Sequence, residues 1–284
     1  MSRFLIEPKC SPGKVLDVDG ENTQNGANIH IWEFGQGIHQ YFKITDAGDS
    51  YVFIESCKCE NFVIDVRNSE VRNGTNINIW EKNYTDAQKF KKIDVGDGYY
   101  TFKSKLNENY CIDTRESRNE NGTNIWLYEC NETDAQKFKL IESLDASIKY
   151  AIKYSQNNMR SPRYQDYKNN NCANFCSQCL IAGGVKDDDI WKNNSVAFIN
   201  TIKLKDYFSS KRGVSFKENP NINDINQGDI IYCKNNTGKL GHVMFVIDKN
   251  DNLVKFCGNT NDRCGAYINI NSVTAVLKTS SLLN

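Results

Sequence analysis

Two side chains in the second half of the chain have the types and placement for nucleophilic acyl chemistry. The run Asn170-Asn171-Cys172-Ala173-Asn174-Phe175-Cys176 continues through Ser177-Gln178-Cys179-Leu180-Ile181-Ala182 to Gly183-Gly184. Phe175, Cys176, Cys179, Leu180 and Ala182 recur at helical spacing, and the glycine pair is a stop signal. The spacing predicts a helix with Cys172 in its first turn and Asn170 or Asn171 as its cap. A thiol there meets the positive end of the helix dipole, which favours the nucleophilic thiolate. By itself Cys172 is one apolar-packing thiol among eleven cysteines. A partner base decides the matter. Of three histidines, His30 and His39 fall in the first half, which leaves His242. It follows Gly241 at the head of the apolar strand Gly241 to Asp248. Such a histidine takes the thiol proton, the thiolate attacks a carbonyl, and the imidazolium then protonates the leaving amine. A third polar group must orient the ring. Antiparallel pairing with the Leu253–Cys257 strand brings Asn259, Thr260, Asn261 and Asp262 near His242. Asn259 is first past the strand end, and its amide oxygen suits the ring N–H.

The elements that must position these groups are also legible. Leu144, Ile148, Ala151, Ile152 and Ser155 predict a helix from about Asp145, and Ser195 to Phe208 reads as a second amphipathic helix. Strands follow at Gly228–Cys233, Gly241–Asp248, Leu253–Cys257 and Thr274–Lys278, so helices precede antiparallel strands in an α+β domain. Asp187-Asp188-Asp189 reads as a solvated turn or cap, because no Gly and Glu follow at calcium-loop spacing. Asp229 fits a turn before a strand. Arg263 either pairs with Asp262 or binds an acidic group.

The first half is three copies of one unit of 48 residues. Asp17, Asp65 and Asp113 are in register, as are Gly26, Gly74 and Gly122, and Asn28, Asn76 and Asn124. So are Trp32, Trp80 and Tyr128, then Gln40, Gln88 and Gln136, and Phe42, Phe90 and Phe138. Each unit reads as short strands broken by Asn-Gly or Asp-Gly turns, with no helical period. Three copies imply three-fold closure around a shared core.

This half resembles the ricin B-type lectin family. The marks are Leu16-Asp17, Ile64-Asp65 and Ile112-Asp113, the Asn-Gly turn, the aromatic fifteen residues after each Asp, and a Gln-x-Phe. The resemblance implies an all-β β-trefoil over residues 1–143 and a glycan partner, galactose-type or a cell-wall sugar. It implies three sites: Asp17, His30, Trp32, His39 and Gln40; Asp65, Asn78, Trp80 and Gln88; and Asp113, Tyr128 and Gln136, with Trp126 nearby. The carboxylate would accept from sugar hydroxyls while an aromatic plane packs the C–H face. The three glutamines have a second reading, as structural ties between loops. Ala87 and Ala135 stand where the family often has a polar residue before the Gln.

Residues 144–284 resemble a family of bacterial amidases in the papain-like superfamily, related to NlpC- and CHAP-type cell-wall hydrolases. The motifs are Asn171 through Leu180 with Ala182-Gly183-Gly184, the Trp191 region, Gly228-Asp229-Ile230-Ile231, Gly241-His242 and Asn259 through Arg263. The sequence departs from it at Asn171, where the family usually has Asp, and at Asn259, where it often has His. The resemblance implies a papain-like cysteine amidase or peptidase with Cys172, His242 and Asn259 as its catalytic residues and no cofactor. Its substrate would be a cell-wall peptide or cell-surface amide. Two other readings stand beside it: a lectin with an inactive scaffold domain, and a lectin-protease toxin acting on host proteins.

Composition bounds the rest. Thirty-five basic residues balance 35 acidic ones, so nothing points to nucleic acid. No apolar run spans a bilayer. The N-terminus has no signal-peptide core, so a secreted or cell-surface role implies another export route, and a cytoplasmic one is the alternative. Cys111 and Cys130 flank one segment and are placed to bridge; equally, all the cysteines stay reduced. Cys172, Cys176 and Cys179 lie on one helix and do not make a metal site.

Overall fold

The computed structural model describes residues 2–35, 37–155, 159–234, 238, 240–259 and 263–283, with Asn169 by its backbone alone. Of the residues named above, Thr260, Asn261 and Asp262 lie outside the described ones. The chain divides into two compact units, Met1–Glu142 and Ser143–Asn284.

Twelve strands build the first unit, counting described residues. Six of them, Phe4–Pro8, Phe42–Gly48, Tyr51–Ser56, Phe90–Asp94, Tyr99–Ser104 and Phe138–Glu142, pair in a closed antiparallel ring. Closure leaves that ring no edge. Three hairpins complete the unit. Their second strands, Ala27–Glu33, Thr75–Glu81 and Thr123–Glu129, also pair with one another around an axis. This is a β-trefoil. One equivalent side chain from each repeat marks the axis: Asn28 Nδ2 donates to Asn124 Oδ1 (2.9 Å), Asn124 Nδ2 to Asn76 Oδ1 (2.8 Å), and Asn76 Nδ2 to Asn28 Oδ1 (2.9 Å). The amide ring is self-satisfying, since each residue gives one bond and takes one. The Asn-Gly turns lock each repeat to the next. Gly26, Gly74 and Gly122 all have φ between 85° and 87°, and their N–H groups donate to Ile79, Leu127 and Ile31 at 2.9 Å. A β-carbon at that φ is strained. Ile, Val, Leu and Phe from all three repeats fill the common core.

The second unit is α+β. Helices α1 (Ser143–Tyr154), α2 (Cys172–Ala182), α3 (Val196–Ile199) and α4 (Thr201–Ser209) precede a six-stranded antiparallel sheet. The strand order is Phe216–Glu218, Ala275–Leu277, Ile230–Lys234, Leu240–Asn250, Leu253–Gly258, Arg263–Asn269. Two expectations are corrected. The stretch Ser195 to Phe208 is two helices, because Asn200 is extended (φ −109°, ψ 128°) and its side chain accepts from the N–H groups of Ile202 and Lys203 as a new cap. The Cys172 helix is not amphipathic: all eleven residues of α2 are buried. Its polar residues are buried with partners: Ser177 Oγ donates to Phe198 O, and Gln178 Oε1 accepts from the Tyr150 hydroxyl. Trp191 packs on Phe198, Tyr207 and Phe208 and donates from Nε1 to Ser177 Oγ on α2 (3.1 Å). The glycine stop is as expected, with Gly184 at φ 75° and its N–H on Ile181 O.

Asp229 is wholly buried, ion-pairs with Lys278 (2.8 Å) and accepts from the Ser280 N–H, so it ties down the C-terminal segment. Asp188 is the capping residue of the acidic triplet: Oδ1 accepts from the N–H groups of Ile190 and Trp191, and Oδ2 from the Tyr207 hydroxyl. Two disulfides are present, Cys111–Cys130 and Cys257–Cys264. The first was one of two open readings; the second joins residues directly opposed across neighbouring strands. Cys172, Cys176 and Cys179 are free thiols.

Candidate functional site

In the second unit the helix start and the strand head meet as their spacing predicts. Cys172 is the first residue of α2 and is 7% exposed. Burial pushes its thiol up. A hydrogen bond from the His242 ring, the Val243 N–H, the charge of His242 and the Thr201 hydroxyl all act against that, and the thiol ends below its ordinary value. The Thr201 oxygen lies 3.8 Å from the sulfur. Cys176 and Cys179, one and two turns on, are pushed well up by burial and stay protonated. One helix therefore carries a thiol poised for ionisation and two inert ones. The His242 strand gains an extra residue at Gly241: Cys233 pairs with His242, yet Lys234 pairs with Leu240. Bulges of this kind re-aim the neighbouring side chain, and His242 sits half-buried beside the sulfur.

Asn259 reaches the site but bonds differently from the expectation. It is 2% exposed, and its Oδ1 accepts from Asn171 Nδ2 (3.0 Å). Asn171 Oδ1 in turn accepts from Asn174 Nδ2 (2.7 Å) and the Tyr167 N–H (3.2 Å), and Asn174 Nδ2 also reaches Gln165 O (2.9 Å). Asn171 is no ordinary cap; its backbone is already helical (φ −91°, ψ 0°), and no side-chain cap bond forms. This amide network clamps the turn that carries Cys172. Sequence reasoning missed Thr201 and the role of Asn171. The capping pair Asn200-Thr201 was the only signal for the former.

In the trefoil, hairpin register explains the repeated constellation. His30, Asn78 and Trp126 sit directly opposite Asp17, Asp65 and Asp113. All three carboxylates are buried. In the first repeat His30 Nε2 and His39 Nε2 each approach Asp17 at 3.3 Å, and Gln40 Nε2 donates at 2.9 Å. Burial raises the Asp17 carboxyl, but the two histidines overcome it and hold it below its usual value. In the third repeat Trp126 Nε1 donates to Asp113 Oδ1 (2.7 Å) and Gln136 Nε2 to Oδ2 (2.9 Å). Burial outweighs both, and Asp113 lies above its usual value. In the second repeat burial likewise raises Asp65, with Gln88 the opposing hydrogen bond. There the facing Asn78 keeps a buried Oδ1 with no protein partner.

Gln88 and Gln136 also bridge strand to loop: their Nε2 groups donate to the carbonyls of Glu81 and Glu129, and their Oε1 atoms accept from Asn83 and Asn131 N–H. The structural reading of the glutamines therefore holds. Trp32 and Trp80 are 36% and 40% exposed. Tyr128 is half-buried and lines a cleft of about 870 Å³ with Gln136, Lys103, Glu129 and Asn131. Asp113 does not line it.

Comparison with known proteins places both halves. Residues 5–80 and 86–174 match the family described as "Ricin-type beta-trefoil lectin domain-like", and the chain belongs to it. Residues 142–280 match the "Putative amidase domain" family. A curated relative, "Uncharacterized protein YhbB" of Bacillus subtilis (strain 168), is 31% identical over 113 residues, covering 35% of this chain. The match spans 36% of that relative's length. Among solved structures, the designed three-fold symmetric protein ThreeFoil is 26% identical with a TM-score of 0.47, covering 49% of this chain and 97% of that one. The exo-beta-1,3-galactanase 1,3Gal43A from Clostridium thermocellum is 29% identical with a TM-score of 0.47, covering 50% of this chain and 30% of that one. No helix among the described residues is long and apolar enough to cross a membrane.

Proposed function

We propose that this chain is a glycan-targeted cysteine amidase or peptidase whose second unit works in the papain-like manner. The observation that carries the reading is a buried Cys172 that opens α2, with the bulged head of the His242 strand beside it. His242 takes the proton, and the thiolate adds to an amide carbonyl. First-turn N–H groups of α2 face the developing oxyanion, because the opening turn of a helix has no internal acceptor for them. The imidazolium then protonates the leaving amine, and water completes hydrolysis of the thioester. Asn259 is a positioning residue in this scheme, acting on Cys172 through Asn171. Cell-wall peptide or a cell-surface amide is the substrate class.

The trefoil supplies the address, through its second repeat. Asp65 has the fewest protein donors of the three carboxylates, and Trp80 presents an exposed plane. Cys172→Ala and His242→Ala are each expected to abolish amide hydrolysis and leave glycan binding intact. Full activity in either variant refutes the mechanism. One observation favours the inactive-scaffold reading: the Asn259 oxygen expected behind the His242 ring accepts from Asn171 instead. A Cys172 that alkylates no faster than an ordinary thiol near neutral pH would decide for it.

A further inference from the structure

Beside His242 the sheet encloses a small cleft of about 260 Å³. Met244 and Phe256, both nearly buried, give it an apolar lining. Gly258 leaves one position without a side chain; a β-carbon there would meet Met244 at 3.5 Å. Arg263, opposite Gly258 in register, and Tyr267 complete the wall. Among the described residues no carboxylate lines the cleft or ion-pairs with Arg263. Lys255 Nζ lies 5.6 Å over the Tyr267 ring and adds a second positive charge nearby. Burial pushes the neighbouring Cys233 thiol up to about 11, so that wall stays neutral. The cleft has room for one amino-acid-sized group with an apolar stem and an anionic end. An exposed guanidinium is the natural partner for a carboxylate, which it engages through two parallel N–H bonds.

We propose that this cleft is the specificity subsite of the amidase reading above, on which the inference rests. It receives a substrate residue that bears a carboxylate next to the scissile amide. The stem packs on Met244 and Phe256, and Arg263 takes the charge. Because His242 is itself a wall of the cleft, a group seated there lies against the base of that reading.

The test uses the full chain and matched fluorogenic amides with Glu or Gln, and Asp or Asn, on either side of the bond. Wild type is expected to favour the acid over its amide by about ten- to a hundredfold in kcat/KM, the worth of a charged hydrogen bond. Arg263→Gln should bring that ratio near one, and Arg263→Lys should keep part of it. No acid preference in wild type overturns the proposal, as does an Arg263→Gln loss equal for acid and amide. A second readout does not need turnover: N-acetylglutamate N-methylamide and its glutamine counterpart are titrated into Cys172→Ala by NMR. Acid-selective binding that Arg263→Gln removes supports the subsite, and its absence overturns it. If that binding is seen while no amide is cut by wild type, the amidase reading fails and the anion site stands.

Discussion

If the second repeat carries the glycan, the three aspartates must respond unequally to the same small change. Asp→Asn keeps shape and removes charge. At Asp65 the carboxylate has Gln88 as its one protein donor and keeps the most acceptor capacity for a sugar hydroxyl, and a hydrogen bond to a charged group contributes about 1.5–3 kcal/mol. Asp65→Asn should therefore weaken glycan binding about 10- to 150-fold, at about 1.4 kcal/mol per decade. Trp80→Ala removes the stacking plane, worth about 0.5–1.5 kcal/mol beyond buried area, or about 2- to 12-fold. The two changes touch one ligand and will not add simply. Asp17→Asn and Asp113→Asn should leave affinity within about twofold and lower stability instead, since their oxygens already hold His30, His39 and Gln40, or Trp126 and Gln136. Calorimetric titration with galactosides and cell-wall saccharides, beside thermal melts, reads both effects. An Asp65→Asn protein that binds like wild type, with affinity lost in Asp17→Asn or Asp113→Asn, refutes the reasoning. Because burial raises Asp65, its binding form is lost on acidification at a higher pH than an ordinary carboxylate, whose midpoint is about 3.9.

Other expectations follow from the same bonds. Iodoacetamide should label Cys172 faster than an ordinary thiol at neutral pH, and His242→Ala should slow it, because only the Val243 N–H and the Thr201 hydroxyl then oppose burial; mass spectrometry of the labelled peptide reads the rates. Asn259→Ala removes the acceptor for Asn171 and should cost about 1 kcal/mol of stability at the Cys172 turn. It should lower kcat more than it raises KM, and an equal loss in Asn171→Ala is the check on the shared path. Asn76→Ala breaks two bonds of the axial ring, about 2 kcal/mol in sum, and should lower the trefoil melting temperature by about 5–10 °C, measured by calorimetry.

Features that repeat or that depend on side-chain type were legible in the sequence. The 48-residue period predicted three-fold closure, the family resemblance implied that it is a trefoil, and the amide ring of Asn28, Asn76 and Asn124 is the physical form of that period. Cys172 and His242 were found because few residue types can act as nucleophile and base. Geometry that turns on one backbone dihedral was not legible. Apolar spacing from Val196 to Phe208 suits a single helix, and one extended residue, Asn200, makes it two. That break starts α4 at Thr201, beside the sulfur.

Asn259 shows the limit most clearly. Strand pairing predicts which residues arrive near His242, but the acceptor that an amide oxygen serves is fixed by competition among neighbours. Asn171 offers a buried N–H pair that must be satisfied, and it claims the Asn259 oxygen at 3.0 Å. An aspartate before the cysteine could not have donated that bond. The presence of Asn at both 171 and 259 is thus a matched pair: one amide gives, the other accepts, and the turn beneath Cys172 is held without a charge. Asn171→Asp should break it, since it sets a carboxylate against the Asn259 oxygen beside a thiol that must ionise, whereas Asn259→Asp keeps an acceptor for the Asn171 amide and should do less harm.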